Sequence, residues 1–153
     1  MPKIDLDANP PTNSTDYPPP FDRAVEGRWV RRLAPAAGLA AFGASHVVLK
    51  PGAWSSQRHW HAGEDELLVM VGGEAVLIDD DGRTPLLPGD VAAFAAGDGN
   101  GHHLVNESDA DCVFVVVGAG PKTGGEYSDI DMVFTPDGDY RRRDGTPYPA
   151  SRV

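Results

Sequence analysis

Turn-forming residues recur along this chain at intervals of roughly 8–12 residues, and that spacing leaves room for short strands and little else. The cuts are Pro51-Gly52, Gly72-Gly73, Asp79-Asp80-Asp81-Gly82, Pro88-Gly89-Asp90, Gly97 to Gly101 and Ser108-Asp109-Ala110-Asp111. They account for much of the unusual content of 18 Gly and 14 Pro. Asp and Gly tolerate the positive φ of tight hairpins, so Asp79 to Gly82 is the strongest of these signals. Between the cuts lie apolar or mixed runs: Arg28 to Leu33, Ser45 to Lys50, Glu66 to Val71, Glu74 to Ile78, Thr84 to Leu87, Val91 to Ala95, His102 to Asn106 and Cys112 to Val117. Helix-period apolar patterning is missing across them. The prediction is an all-β domain, a sandwich or a barrel, over residues 26–118.

The two flanks read differently. Residues 1–25 form a Pro-rich N-terminal arm containing Pro18-Pro19-Pro20, which excludes a helix or a central strand. The arm is expected to be a disordered tail or to lie on a partner subunit. Residues 119–153 form an extension rich in Gly, Pro and Asp, with one apolar patch from Ile130 to Phe134. It is expected to pack on the barrel or on a partner. At 153 residues the chain is long enough for one real core.

Charge excludes some functions. The formal net charge of -10 repels phosphate backbones, so nucleic acid is not an expected partner. The basic runs Arg28-Trp29-Val30-Arg31-Arg32 and Arg141-Arg142-Arg143 are short and read as solvated. Cys112 is the only cysteine and sits in an apolar run, so it reads as a small core residue. No apolar stretch reaches membrane-spanning length, and Met1 to Asp7 lacks the apolar core of a signal peptide. A cytoplasmic protein without a membrane partner is the expectation.

The histidines carry the chemistry. Four of the five fall in two clusters, His59-Trp60-His61 and His102-His103. On an extended strand His59 and His61 point the same way. Two imidazoles on one face, the carboxylate of Glu66 and a third imidazole from another strand can converge on one ion. A mixed nitrogen and oxygen set suits a transition metal better than calcium or magnesium. Strand alternation makes His102 and His103 exclusive: one faces inward and the other away. Trp54 and Trp60 either line a substrate mouth or pack beside the barrel. Arg58 either binds an anionic substrate or forms a surface ion pair with Glu64 or Asp65.

The spacing Gly52, His59-x-His61, Glu66, Gly73 resembles the first motif of the cupins. Gly89-Asp90 through His102-x-x-x-Asn106 resembles the second. The likeness is good over about residues 46–118. It departs in an extra residue between Gly52 and His59, in Ala95 and Gly97 near the place of the usual proline, and in a longer loop before His102. The resemblance implies a jelly-roll, double-stranded β-helix barrel. It also implies one divalent metal ion (Zn, Fe, Ni or Mn) held by His59, His61, Glu66 and His102. His102 is preferred over His103 because it has the motif's spacing to Asn106. Pro51 through Glu66, Gly101 to Asn106 and Tyr127 to Asp131 further resemble a bacterial subgroup of stand-alone single-domain cupins, with names such as sugar-phosphate-isomerase-like or polyketide-synthesis cupin.

From the resemblance follows the expected function. It is a metal-dependent enzyme on a small carbonyl-containing or aromatic metabolite, of isomerase, epimerase or dioxygenase type. The alternative is a barrel that captures or senses a small ligand without turnover. Arg58, Trp54, Trp60 and His103 are the candidate pocket residues. A homodimer is expected, because small barrels of this kind leave a sheet edge and an apolar face exposed.

Overall fold

The computed structural model describes residues 3–149. Twelve strands follow a single 3-10 turn at Arg23–Val25: β1 Arg28–Arg32, β2 Gly43–Leu49, β3 His59–His61, β4 Asp65–Gly72, β5 Ala75–Asp79, β6 Gly82–Leu86, β7 Val91–Phe94, β8 His103–Val105, β9 Cys112–Ala119, β10 Gly125–Tyr127, β11 Val133–Phe134 and β12 Tyr140–Arg141. One short helix, α1 at Leu33–Ala36, occupies the interruption around Pro35. None of the described helices is long and apolar enough to cross a membrane.

The strands form two walls. One is a five-stranded antiparallel sheet in the order β1-β2-β9-β4-β7. The other begins as β6-β5-β8. It continues through the antiparallel bridges Trp54↔Val105 and His59↔His102 into β3-β10-β11-β12. This is the jelly-roll barrel that the turn spacing and the motifs predict. Alternation along each strand supplies the core. Val47 and Leu49, Leu68 and Met70, and Cys112 and Phe114 point inward to meet Ala75, Leu86 and Leu104 from the opposite wall.

Turn chemistry fixes the strand ends. Gly73 has φ +66°, and a β-carbon there would run into the Asp111 carbonyl. Asn106 is wholly buried after β8. Its amide donates to the Leu49 and Ala110 carbonyls, at 2.9 and 2.8 Å, and its oxygen accepts from the Ser108 amide and hydroxyl. One side chain thus ties the ends of β2, β8 and β9.

The flanks find places on the same chain. Thr12 exchanges two backbone hydrogen bonds with Val30 and so lines the outer edge of β1. Tyr17 and Phe21 of the arm pack with Tyr127, Ile130, Met132, Phe134, Tyr140 and Tyr148 of the extension into a second apolar cluster. The apolar patch is therefore covered from within the chain. The extension also adds three strands, β10 to β12, where sequence reading found only turns and a patch. Its strands are two or three residues long, too short for an alternation signal.

Met132 is fully buried in this second cluster. Met132→Ala should lower unfolding stability by about 2–4 kcal/mol, the cost of deleting a buried large side chain. Urea denaturation reads it. A change below about 0.5 kcal/mol, typical of a surface site, would mean that the extension is not packed as described.

Candidate metal centre

Two strands and the loop leading into a third aim polar side chains at one point inside the barrel. His59 and His61 share a face of β3, and Glu66 comes from β4 on the opposite wall. His59 Nε2 lies 3.1 Å from His61 Nε2, and His61 Nε2 lies 3.1 Å from a Glu66 carboxylate oxygen. The ligand atoms of these three residues all fall within 4.8 Å of one another. His102, just before β8, brings its Nε2 to 3.7 Å from the same Glu66 oxygen.

Local backbone explains the convergence. His59 and His102 are a bridge pair that exchange two main-chain hydrogen bonds, His59 N to His102 O at 3.3 Å and His102 N to His59 O at 2.9 Å. Side chains of such a pair stand on one face, and the two rings sit 5.3 Å apart. Gly101 makes the approach possible, because a β-carbon there would overlap the Ser128 side chain. Phe94 of β7 lies flat on His102 at 3.5 Å, and Phe134 of β11 meets the His61 ring edge-on at 5.3 Å.

The protonation pattern suits a cation. His59 Nδ1 donates to the Gln57 carbonyl at 2.9 Å, which leaves Nε2 as the nitrogen with a free lone pair. Burial, reinforced by the charge of His102, pushes the His59 pKa down to about 4, so this imidazole is neutral at pH 7. Burial also opposes charge on His61, but the hydrogen bond and charge of Glu66 outweigh it and hold its pKa above the ordinary value. Burial works against ionisation of Glu66 too. The neighbouring imidazoles of His102 and His61 overcome it and keep the carboxyl well below its usual range. Both ring nitrogens of His102 are buried with no hydrogen-bond partner among the described residues. Buried nitrogens are seldom left so, and a cation beside Glu66 would satisfy one of them.

The centre opens into a cavity of about 390 Å3. Apolar side chains from both walls line it, together with Phe94, Phe134, Tyr17, Tyr127, Tyr140 and Arg28. The four residues named from sequence as pocket candidates stand elsewhere. Arg58 is taken by carboxylates: it grips Asp129 through Nε and Nη2, at 2.9 and 2.7 Å, and also pairs with Asp80. It thereby fastens the extension to the β5–β6 hairpin, with acidic partners other than Glu64 and Asp65. His103 turns away from the centre, donates Nδ1–H to the Ser56 carbonyl at 2.9 Å and meets the Trp54 ring edge-on at 4.7 Å. Trp54 and Trp60 are absent from the cavity wall, and Trp60 pairs through its backbone with Glu126. Sequence reading missed Phe94, Arg28 and the three tyrosines. For Arg28 a signal existed: it shares a strand face with Val30, an odd neighbour for a solvated residue.

Comparison with known proteins places these features in context. A family model described as a cupin domain matches residues 45–118. A solved structure from Silicibacter pomeroyi DSS-3, described as a sugar phosphate isomerase from a cupin superfamily, is 44% identical. That match covers 97% of this chain and 98% of the other, with a TM-score of 0.91. A Cupin 2 conserved barrel domain protein from Salinispora arenicola is 30% identical over 60% of this chain and 75% of its own, with a TM-score of 0.53. A structure from Acidithiobacillus ferrooxidans, 23% identical over 84% of each chain with a TM-score of 0.71, shares the fold. Among curated proteins no match is found.

The geometry separates the adjacent histidines by experiment. His102→Ala should weaken binding of added Zn2+ by at least about tenfold, as loss of a supporting ligand does. His103→Ala should change it little, provided the fold is kept. Calorimetric titration of the metal-stripped protein reads both, and the reverse ranking would mean that His103 is the ligand.

Proposed function

This chain belongs to the cupin superfamily, and from that premise we propose that it is a metal-dependent enzyme acting on a small organic substrate inside the barrel. The observation that carries the reading is the convergence of four donors, from both walls, on one point of an otherwise largely apolar cavity. His59, His61, Glu66 and His102 would hold one divalent transition ion, with zinc, iron, nickel and manganese all compatible with such ligands. An ion there supplies Lewis-acid polarisation of a carbonyl, or, if it is iron, reaction with dioxygen.

The chain's own residues set the conditions for that chemistry. The Gln57 carbonyl fixes the His59 tautomer, and Phe94 restrains the plane of His102. Glu66 stays ionised and His59 stays neutral, so a negative charge and a free imidazole lone pair face the centre. Tyr127 lies 5.5 Å from the His59 ring, centroid to centroid. Burial, and then the neighbouring tyrosines, raise its pKa far above the ordinary value, so its hydroxyl stays protonated and neutral beside the centre. The aliphatic walls keep much of the rest of the chamber apolar. The solved relative at 44% identity is described as a sugar phosphate isomerase, which favours proton transfer beside a carbonyl over oxygenation.

A homodimer is part of the proposal. Leu67, Val71 and Val91 are 42, 55 and 57% exposed on the outer face of β4 and β7. β7 is the free edge of its sheet. An apolar face beside an open edge is a surface that a second copy can cover.

Two measurements test these readings. Protein purified without an affinity tag should contain about one transition ion per chain by elemental analysis, as one four-donor site requires. It should also exchange the proton next to a carbonyl for solvent deuterium in a panel of small hydroxy-aldehydes and ketones, anaerobically. His61→Ala should lose both properties. Metal with no turnover of any carbonyl or aromatic compound, with or without oxygen, would favour ligand capture instead. In sedimentation the chain should run at twice its mass, and Leu67→Glu with Val91→Glu should halve it. A monomeric wild type would exclude the dimer.

A further inference from the structure

Arg28 is the cation that the proposed chemistry leaves unused. It stands on β1 and lines the same cavity as the histidines and Glu66. Its Nη1 donates to the Ser55 carbonyl at 2.9 Å. Its Nε is buried and has no hydrogen-bond partner among the described residues. Arg58, Arg83, Arg141 and Arg143 each reach a carboxylate, but among the described residues Arg28 reaches none. In a chain with 23 acidic residues and 13 basic ones, a cavity-facing guanidinium without an acid is a site waiting for an anion. With Nη1 occupied, the Nε and Nη2 edge is left, and that edge grips a carboxylate through two parallel hydrogen bonds.

The surroundings complete the site. Tyr17 and Tyr140 stack at 5.2 Å and line the cavity with Arg28. Burial raises the pKa of both, so their hydroxyls remain neutral donors. Tyr127 joins this end to the histidine centre, 5.7 Å from Tyr17 and 5.5 Å from His59 between ring centroids. Two ring contacts therefore span the distance, a length suited to a small molecule. Most of the remaining wall is hydrocarbon: Val30, Val47, Leu68, Leu104, Phe114 and Val116. Among the described residues Glu66 is the only acidic one on it.

We propose that Arg28, with Tyr17 and Tyr140, is an anion subsite that seats the carboxylate of a small organic acid with a largely apolar body. The acid's other end reaches the His59, His61 and Glu66 centre. The proposal rests on reading this cavity as the substrate chamber. One guanidinium matches one negative charge. A phosphate ester dianion would carry a second charge into an apolar chamber without a second cation, at a high cost in desolvation.

The test uses the intact chain as purified and three probes of one shape: benzoate, phenyl phosphate and benzamide. Calorimetric titration should show benzoate binding at least tenfold more tightly than neutral benzamide to the wild type, a comparison that needs no variant. Arg28→Gln should remove that preference, Arg28→Lys should restore part of it, and metal content should be the same in all three proteins. Equal binding of benzoate and benzamide, or a preference that survives Arg28→Gln in a folded protein, overturns the subsite. Tighter binding of phenyl phosphate than of benzoate overturns the carboxylate assignment. Arg28-dependent benzoate binding in protein that holds no metal supports the subsite and counts against the metal reading alone.

Discussion

Two backbone hydrogen bonds between His59 and His102 hold this molecule's architecture and its chemistry at once. They join the β6-β5-β8 sheet to the β3-β10-β11-β12 sheet, and so turn two fragments into one wall of a barrel. The same pairing puts two imidazoles side by side, because paired residues on antiparallel strands present their side chains to the same face. Glu66 then has only to arrive from across the barrel. The centre is thus not an addition to the fold. It lies on the seam that closes it.

Packing does the rest of the positioning. An imidazole on a strand still has two torsions to lose, and neighbouring rings remove them. Phe94 covers the face of His102, while Tyr127 and Phe134 bracket His59 and His61. Two of these three aromatic residues belong to the C-terminal extension. The extension is therefore a wall of the chamber, held against the barrel by the Arg58 pair with Asp129 and by the buried Met132. Part of the fold's stability and part of the site's order come from the same contacts.

The barrel strands were legible because their signals are local. The short apolar runs Leu67 to Val71 and Val113 to Val117, and turn residues with defined φ preferences, do not depend on distant partners. The grouping of His59, His61 and Glu66 was legible for the same reason. The cavity wall was not, since which arginine faces inward depends on tertiary neighbours. Arg58 follows a glycine turn and precedes a histidine, so it looked like a substrate residue, yet two aspartates claim it. Arg28 sits in a basic run and looked solvated, yet its strand face also carries Val30 and looks into the barrel. Strands β10 to β12 were hidden by their length, and their pairing with β3 is visible only in three dimensions.

The tyrosine cluster has a consequence for the order in which this protein assembles. Tyr17 meets Tyr127 and Tyr140, so the two ends of the chain must come together across more than 100 residues of sequence. Closing such long loops is slow compared with pairing neighbouring hairpins. During synthesis the strands through β9 emerge first and can bury Leu49, Met70 and Phe114 among themselves. The chamber gains its last wall only when β10 to β12 leave the ribosome and fold back over Tyr17. A nascent chain can therefore possess a barrel core while its histidines still face open water, and ligand binding becomes possible at the final step of folding.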